Sequence, residues 1–249
     1  MELDRLADAG FDSSLVKVAP NCHIVKDEHI FYDKKNLASK LGTTSRGIAP
    51  CYSSKAARTG LLAKDVLEYE FIWDGELSGN ILCEGAQGVW LDINHGNYPY
   101  VTSSNTLPYG ACSLGFPPQF IRHIYGATKI YDTRSGIDPF FPENLLEDKD
   151  LLSLVKVGEE FGTTTGRMRK TNWLNLDKLV DAIRISGTTI ILISKIDVIK
   201  NLNKYKLYHN STLIDFENFD SMKTYIDKNL KENCPLLENI TYSEKNELK

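Results

Sequence analysis

The chain has no surplus of either charge, no long apolar stretch and no paired cysteines, and each shortage removes a class of protein. Its 29 lysines and arginines stand against 33 aspartates and glutamates, a formal net charge of −4. Such a near-balance gives no global attraction to nucleic acid or to an anionic membrane surface. The longest apolar run is about Ile190–Ile193, far short of the roughly 20 residues a membrane-spanning helix needs. The N-terminus, Met-Glu-Leu-Asp-Arg-Leu, is acidic and amphipathic, without the basic region and apolar stretch of a secretory signal. Five cysteines (Cys22, Cys51, Cys83, Cys112 and Cys234) are scattered with no CxxC spacing. An odd, dispersed set is expected of a reducing, cytosolic compartment, with most thiols serving as small buried hydrophobes.

Three catalytic signatures are missing as well. His23, His29, His95, His123 and His209 show no ligand spacing such as HExxH, so a zinc centre is not expected. His95, between Asn94 and Gly96, reads as a turn residue. There is no GxSxG elbow and no GxxxxGK[ST] phosphate loop. What is present is ordinary for a globular chain: 42 % apolar and 25 % charged residues, 17 glycines and 9 prolines. At 249 residues it is long enough to bury a substantial core.

Along the chain, Leu3–Ala9 reads as the tail of a helix stopped by Gly10. GTTSRGIAP, from Gly42 to Pro50, is a polar, glycine-rich loop followed by a helix whose cap is Ser53 or Ser54. Asn80–Cys83 reads as a short buried strand that breaks into EGAQG, and Asp92–Asn105 is too rich in turn formers for regular structure. Ala127–Asp132 is another strand candidate. Leu176, Leu179, Val180 and Ile183 share one helical face, with Gly187 ending the helix. Thr188–Ser194 is a continuous apolar run, the pattern of a strand covered on both faces. A last helix, capped at Asp220, ends near Pro235, and the polar tail beyond it is expected to be loose. Strands alternating with helices, with no repeat and no linker, predict one α/β domain with a largely parallel sheet flanked by helices.

Three loops gather groups suited to phosphate. Thr43, Thr44, Ser45 and Arg46 lie between glycines, which let backbone N–H groups converge on an anion. Thr163, Thr164, Thr165 and Gly166 lead into Arg167 and Arg169, whose alternate spacing points both cations one way on an extended loop. Thr102, Ser103 and Ser104 form the third set. Each of these also reads as a plain turn. A fourth signal, Lys195-x-Asp197, follows the apolar strand, where ligands gather in α/β nucleotide-binding folds. A carboxylate there can accept from guanine N1–H and the 2-amino group, though the same residues also suit a solvated, salt-bridged loop.

Together these stretches are far more specific. GTTSRGIAP-CYSSKAARTG, EGAQGVWLDINHGNYPYVTSSN, TRSGIDPF-FPE, EFGTTTGRMRKTNW and SKIDV resemble, in order and wording, adenylosuccinate synthetase. The resemblance is firm from Leu3 to Val198 and looser beyond. It implies a synthetase-like, P-loop-NTPase-related α/β fold, here a single partial domain over residues 1–249. It also implies a cytoplasmic C–N ligase of purine biosynthesis that joins IMP and L-aspartate at the expense of GTP, with Mg²⁺. The family's IMP contacts carry over to Thr44, Gln87, Thr102 and Arg167, with the catalytic Gln87 amide at the purine 6-substituent. Arg58 matches an arginine reaching into the neighbouring subunit's IMP site, so a homodimer is implied. Thr163, Thr164, Thr165, Gly166, Arg167 and Arg169 match the loop that closes on aspartate. Arg169 with Lys195, Ile196 and Asp197 matches the GTP contacts.

Departures from the family pattern set further expectations. Segments of the GDEGKGK and GHNAGH types, which carry the family's general base, catalytic histidine and magnesium ligands, do not occur in this chain. The chain reads as N-terminally truncated, has no metal ligands of its own and is expected to be inactive in isolation. Met168 interrupts the arginine run, and ITYSE (Ile240–Glu244) stands where the family has a STGP-type segment. Two alternatives accompany the main reading. One is a viral-type relative that condenses aspartate with a guanine nucleotide; the other is a non-catalytic purine-nucleotide-binding derivative.

Overall fold

The computed structural model describes residues 2–162 and 166–244, and the chain divides into two compact units, Met1–Glu84 and Gly85–Lys249. In the first unit, α1 (Glu2–Asp8) ends at Gly10, whose φ of +84° supplies the expected stop. Helix α2 (Asp27–Tyr32) passes through a π-helical turn, Asp33–Leu37, into α3 (Ala38–Leu41), which Gly42 closes in the left-handed region. Helix α4 (Ile48–Ala57) starts earlier than a cap at Ser53 or Ser54 would allow. Gly47 occupies the N-cap instead, and Pro50 falls in the first turn, where its missing N–H costs no hydrogen bond. The strand expected at Asn80–Cys83 is not formed. The segment is irregular, with Leu82 86 % exposed. Apolar β-formers need a ladder to become a strand, and among the described residues none pairs with these.

Among the described residues every strand lies in the second unit, and the first holds only isolated bridges, Val18 to Ile72 and His23 to Leu62. The single strand expected over Ala127–Asp132 is in fact two, β1 (Tyr125–Lys129) and β2 (Tyr131–Arg134), which join different sheets. Between them Ile130 is buried, and its N–H donates to the Ser194 carbonyl. The remaining elements follow in order: α5 (Lys149–Val157), β3 (Lys170–Asn175), α6 (Leu176–Ser186), β4 (Ile190–Ser194) and α7 (Ile196–Leu202). A hairpin of β5 (Lys206–His209) and β6 (Thr212–Asp215) leads to α8 (Phe219–Asn233) and β7 (Asn239–Tyr242).

Strands β1, β4 and β7 form an all-parallel sheet with β4 in the centre. The second sheet, β2-β3-β5-β6, is mixed, since only its β3·β5 pair is parallel. Along β4, Ile191 and Ile193 are buried while Ile190, Leu192 and Ser194 are half-buried, so one face is better covered than the other. Leu176, Leu179, Val180 and Ile183 give α6 its buried face, and Gly187 (φ +69°) ends it as the spacing predicts. Helix α8 is capped by Asn218 rather than Asp220, because the Asn218 side chain accepts from the Ser221 N–H. Its Met222, Ile226 and Leu230 complete the core around β4.

All five cysteines are free, but only Cys51 and Cys234 are buried, which corrects the expectation for most of the set. Cys22 and Cys83 are exposed, on irregular segments that leave them outside any core. The tail expected to be loose ends in residues 245–249, which lie outside the described residues. Among the described residues no helix is long and apolar enough to cross a membrane.

Candidate functional site

A buried carboxylate lies in or beside each of the three phosphate-type segments. In the first unit Asp33, 3 % exposed, accepts from the Thr43 hydroxyl at 2.6 Å and from the Gly47 N–H at 2.9 Å. The Ser45 N–H donates in turn to Thr43 Oγ1 at 3.3 Å. Positive φ at Gly42 (+68°), Ser45 (+56°) and Gly47 (+75°) bends the chain around that carboxylate. The result leaves Thr44 and Arg46 exposed on the loop. Arg58 is exposed at the C-cap of α4 with φ +64°.

In the second unit Gln87 is exposed and adopts φ +63° in the turn before the Asp92 segment. Asp92 is fully buried and accepts three backbone N–H bonds, from Asn94 (2.9 Å), His95 (3.2 Å) and Thr106 (2.6 Å). Burial works to raise its pKa, but these bonds together prevail and hold the carboxyl below its ordinary value. His95 is the exposed turn residue the sequence predicts. Thr102 is half-buried, and its N–H donates to the Leu91 carbonyl at 2.8 Å. The same segment is tied down by Arg134, which donates to the Tyr100 carbonyl at 2.5 Å and faces Asp138 at 3.2 Å. Asp138 also accepts from the Asn97 side chain at 3.1 Å.

The third carboxylate is Glu160, 1 % exposed. It accepts from Lys129 Nζ at 2.6 Å, the Tyr131 hydroxyl at 2.8 Å and Arg169 Nη1 at 3.0 Å. Burial again pushes upward, yet the donors outweigh it and keep the Glu160 pKa below its usual value. Desolvation lowers the Lys129 pKa against the opposing pull of Glu160, and burial beside Glu160 raises that of Tyr131. The loop that follows is pinned at its base: Gly162 N–H to Arg167 O (2.8 Å), Gly166 N–H to Gly162 O (2.7 Å) and Arg169 N–H to Glu160 O (2.9 Å). Arg167 is exposed, Gly166 takes φ +63°, and Thr163, Thr164 and Thr165 lie outside the described residues.

Lys195 sits at the turn out of β4 with φ +66°, and its Nζ donates to the Gly158 carbonyl at 2.8 Å. The Ile196 side chain belongs to the core, leaving only its backbone for a ligand. Asp197 Oδ1 is buried with no hydrogen-bond partner, an arrangement that costs free energy unless something fills it. Arg169 and Lys195 are therefore brought to one turn, Gly158–Glu160. Gln87 and Thr102 belong to the Asp92 segment, and Thr44 and Arg58 to the other unit. Sequence reasoning did not single out Asp33, Asp92, Glu160, Lys129 or Tyr131. The available signal was a carboxylate opening a Gly/Thr loop, as in Asp92-Ile-Asn and Glu160-Phe-Gly. Among the described residues no three His, Cys, Asp or Glu side chains converge as a metal site.

Known proteins resemble this chain throughout. The sequence profile of the family "Adenylosuccinate synthetase" matches residues 1–79 and 74–237. The adenylosuccinate synthetase of Thermodesulfovibrio yellowstonii is 34 % identical over 86 % of this chain and 64 % of that protein. That of Desulfovibrio desulfuricans is 34 % identical over 81 % of this chain and 61 % of its own length. The chain thus spans less than two thirds of these relatives. Among solved structures, a fully ligated adenylosuccinate synthetase from Plasmodium falciparum superposes with TM-score 0.79 at 23 % identity, covering 98 % of this chain and 78 % of that one. The succinoaminodeoxyadenylate synthetase of cyanophage S-2L, bound to dGMP and dATP, gives TM-score 0.56 at 16 % identity, over 92 % and 77 % of the two chains. Both likenesses bear on the fold.

Proposed function

The chain belongs to the adenylosuccinate synthetase family, and from that premise we propose that it supplies the substrate-binding framework of a GTP-dependent ligase joining IMP to L-aspartate. In that reaction the purine 6-oxygen is phosphorylated and the aspartate amine then displaces phosphate. Thr44, Thr102 and Arg167 bind IMP, and the Gln87 amide hydrogen-bonds the 6-substituent, where charge develops. The loop from Thr163 to Arg169 takes the aspartate carboxylates, with Gly166 allowing the backbone to approach them closely. Arg169, Lys195 and the Ile196 backbone hold the guanine nucleotide with Asp197. Arg58, exposed at the end of α4, reaches the IMP site of a second copy in a cytoplasmic homodimer. Among the described residues no three His, Cys, Asp or Glu side chains converge, and no step is routed through the family's Mg²⁺. Relatives at a third identity that are adenylosuccinate synthetases support this reading over the viral-type one.

The observation that carries the proposal is the Asp197 carboxylate oxygen, buried and unpartnered just after β4. Guanine offers two donors, N1–H and the 2-amino group, that would satisfy it, whereas adenine offers neither. Charge-assisted bonds of this kind contribute roughly 1.5–3 kcal/mol each. Asp197→Asn turns one acceptor into a donor. It is expected to weaken GDP by roughly tenfold or more and to favour xanthosine diphosphate, whose 2-oxygen accepts the new bond. Titrating both nucleotides against wild type and variant decides it. Equal GDP affinity in both proteins would make Asp197 a structural residue and remove the guanine assignment.

A further inference from the structure

Glu160 has more partners than neutralising it requires. Lys129 alone, at 2.6 Å, compensates its charge, yet Arg169 also binds the same Oε2 at 3.0 Å while Tyr131 donates to Oε1 at 2.8 Å. All three come from different places: the end of β1, the start of β2, and the residue before β3. The backbone of Glu160 is used too, its carbonyl accepting from the Arg169 N–H at 2.9 Å. Immediately before it, the Gly158 carbonyl accepts from Lys195 Nζ at 2.8 Å. A side chain at Gly158 would collide with the Tyr131 hydroxyl, so this turn is shaped to let that hydroxyl reach Glu160. Lys195 acts electrostatically on Lys129, and Asp197 on Tyr131. Lys129 and Arg169 thus meet at the Glu160 carboxylate, and Lys195 meets the same turn at the Gly158 carbonyl.

We propose that Glu160 is a positioning residue: its carboxylate fixes the Arg169 guanidinium, and its turn ties Arg169 to Lys195 and the base-recognition segment. A guanidinium held by a buried carboxylate presents its remaining N–H donors in a set direction. A carboxylate that also braces Lys129 and Tyr131 has little freedom to follow Arg169 if it moves. The nucleotide side and the acid-substrate side of the site then share one rigid joint. Which ligands the joint serves rests on the functional reading above; the anchoring itself does not.

The test uses the full chain with Glu160→Gln, Glu160→Asp, Arg169→Ala and the Glu160→Gln/Arg169→Ala double variant. Two measurements are made: amide hydrogen exchange without ligand, and GDP titration. Glu160→Gln keeps the size and an acceptor for Tyr131 but loses the charge. It is expected to speed exchange at Gly162, Gly166 and Arg169 by roughly tenfold or more, with the amides of α6 unchanged. GDP affinity is expected to fall by roughly tenfold in Glu160→Gln and less in Glu160→Asp, which keeps the charge. A merely structural role predicts the opposite order, since glutamine is the better isostere. On the Arg169→Ala background Glu160→Gln should cost little further, because the two act as one unit. Unchanged exchange, an affinity for Glu160→Gln equal to wild type, or additive losses would each overturn the proposal. If Glu160→Gln does not fold, parity of Glu160→Asp with wild type in both measurements overturns it. A wild-type chain that fails to bind GDP sinks the functional reading, while exchange still decides on Glu160.

Discussion

Burial pushes the Asp132 carboxyl up to about 7, and neither the Asn175 N–H at 3.2 Å nor the nearby Lys178 brings it back. Glu160 and Asp92 show the contrary result, because each collects three donors. The number of donors, rather than depth alone, decides whether a carboxylate stays charged. Lys178 cannot serve Asp132 fully, since its ammonium lies 4.0 Å from the Phe140 ring centroid and is itself desolvated. The sign of the consequence follows from linkage. Asp132 has a folded pKa raised above its ordinary 3.8, so between those values the folded state binds a proton that the unfolded chain has lost. Its favourable contribution is complete below about 3.8 and is lost as pH rises to about 7, at no more than about 1.4 kcal/mol per pH unit. Asp132→Asn, which keeps an acceptor for Asn175, is therefore expected to stabilise the protein at pH 8 by at least about 1 kcal/mol after allowing for solvent screening. The gain should shrink as pH falls toward 4.5. Denaturant melts of both proteins across that range check it; a pH-independent difference would contradict the half-buried, under-served carboxyl.

Among elements, α4 shows how tightly a loop and the helix it opens are coupled. Gly47 caps α4 with φ +75°, donates to Asp33, and packs so closely that an added Cβ would lie 2.8 Å from Ile30 N and 2.9 Å from the His29 carbonyl carbon. Gly47→Ala is expected to cost at least about 2 kcal/mol, combining left-handed strain with a backbone clash. It should loosen Thr43–Arg46 with it, which hydrogen exchange at Ser45 and Gly47 would show. Retained protection there would mean that the glycine is dispensable. The sequence made α6 legible because four apolar residues and a terminal glycine agree. It made β4 legible because its apolar run has no other use. It misled at Asn80–Cys83, where β-formers find no ladder, and at Ile130, where one apparent strand serves two sheets. Pairing is a property of partners distant in sequence, so local pattern could not foretell either. The loops with Thr44, Thr102 and Arg169 were legible by composition. Their buried anchors were not, because Asp33, Asp92 and Glu160 read as ordinary polar residues until their partners are seen.

At the scale of the whole molecule, a net charge of −4 spread over 249 residues gives little electrostatic repulsion between copies. The parallel sheet ends at β1, whose outer edge pairs with no strand among the described residues. Tyr125, 66 % exposed, opens that strand, and no charged residue follows until Lys129. An uncharged edge of this kind is a template for pairing with a second chain, and a lysine on it is a common protection. The chain is therefore expected to self-associate, its weight-average mass rising over roughly a hundredfold range of concentration by mass action. Because the drive is apolar and backbone-mediated, moderate salt should leave the association nearly unchanged, whereas contacts made by Arg58 alone would weaken with salt. Tyr125→Lys places a charge on the edge without touching the core and should shift the midpoint of association upward by roughly tenfold. Arg58→Ala should leave it in place. Sedimentation of the three proteins separates the causes. A monodisperse wild-type monomer would sink the edge argument outright, and loss of association in Arg58→Ala but not in Tyr125→Lys would move the contact from the sheet edge to the end of α4.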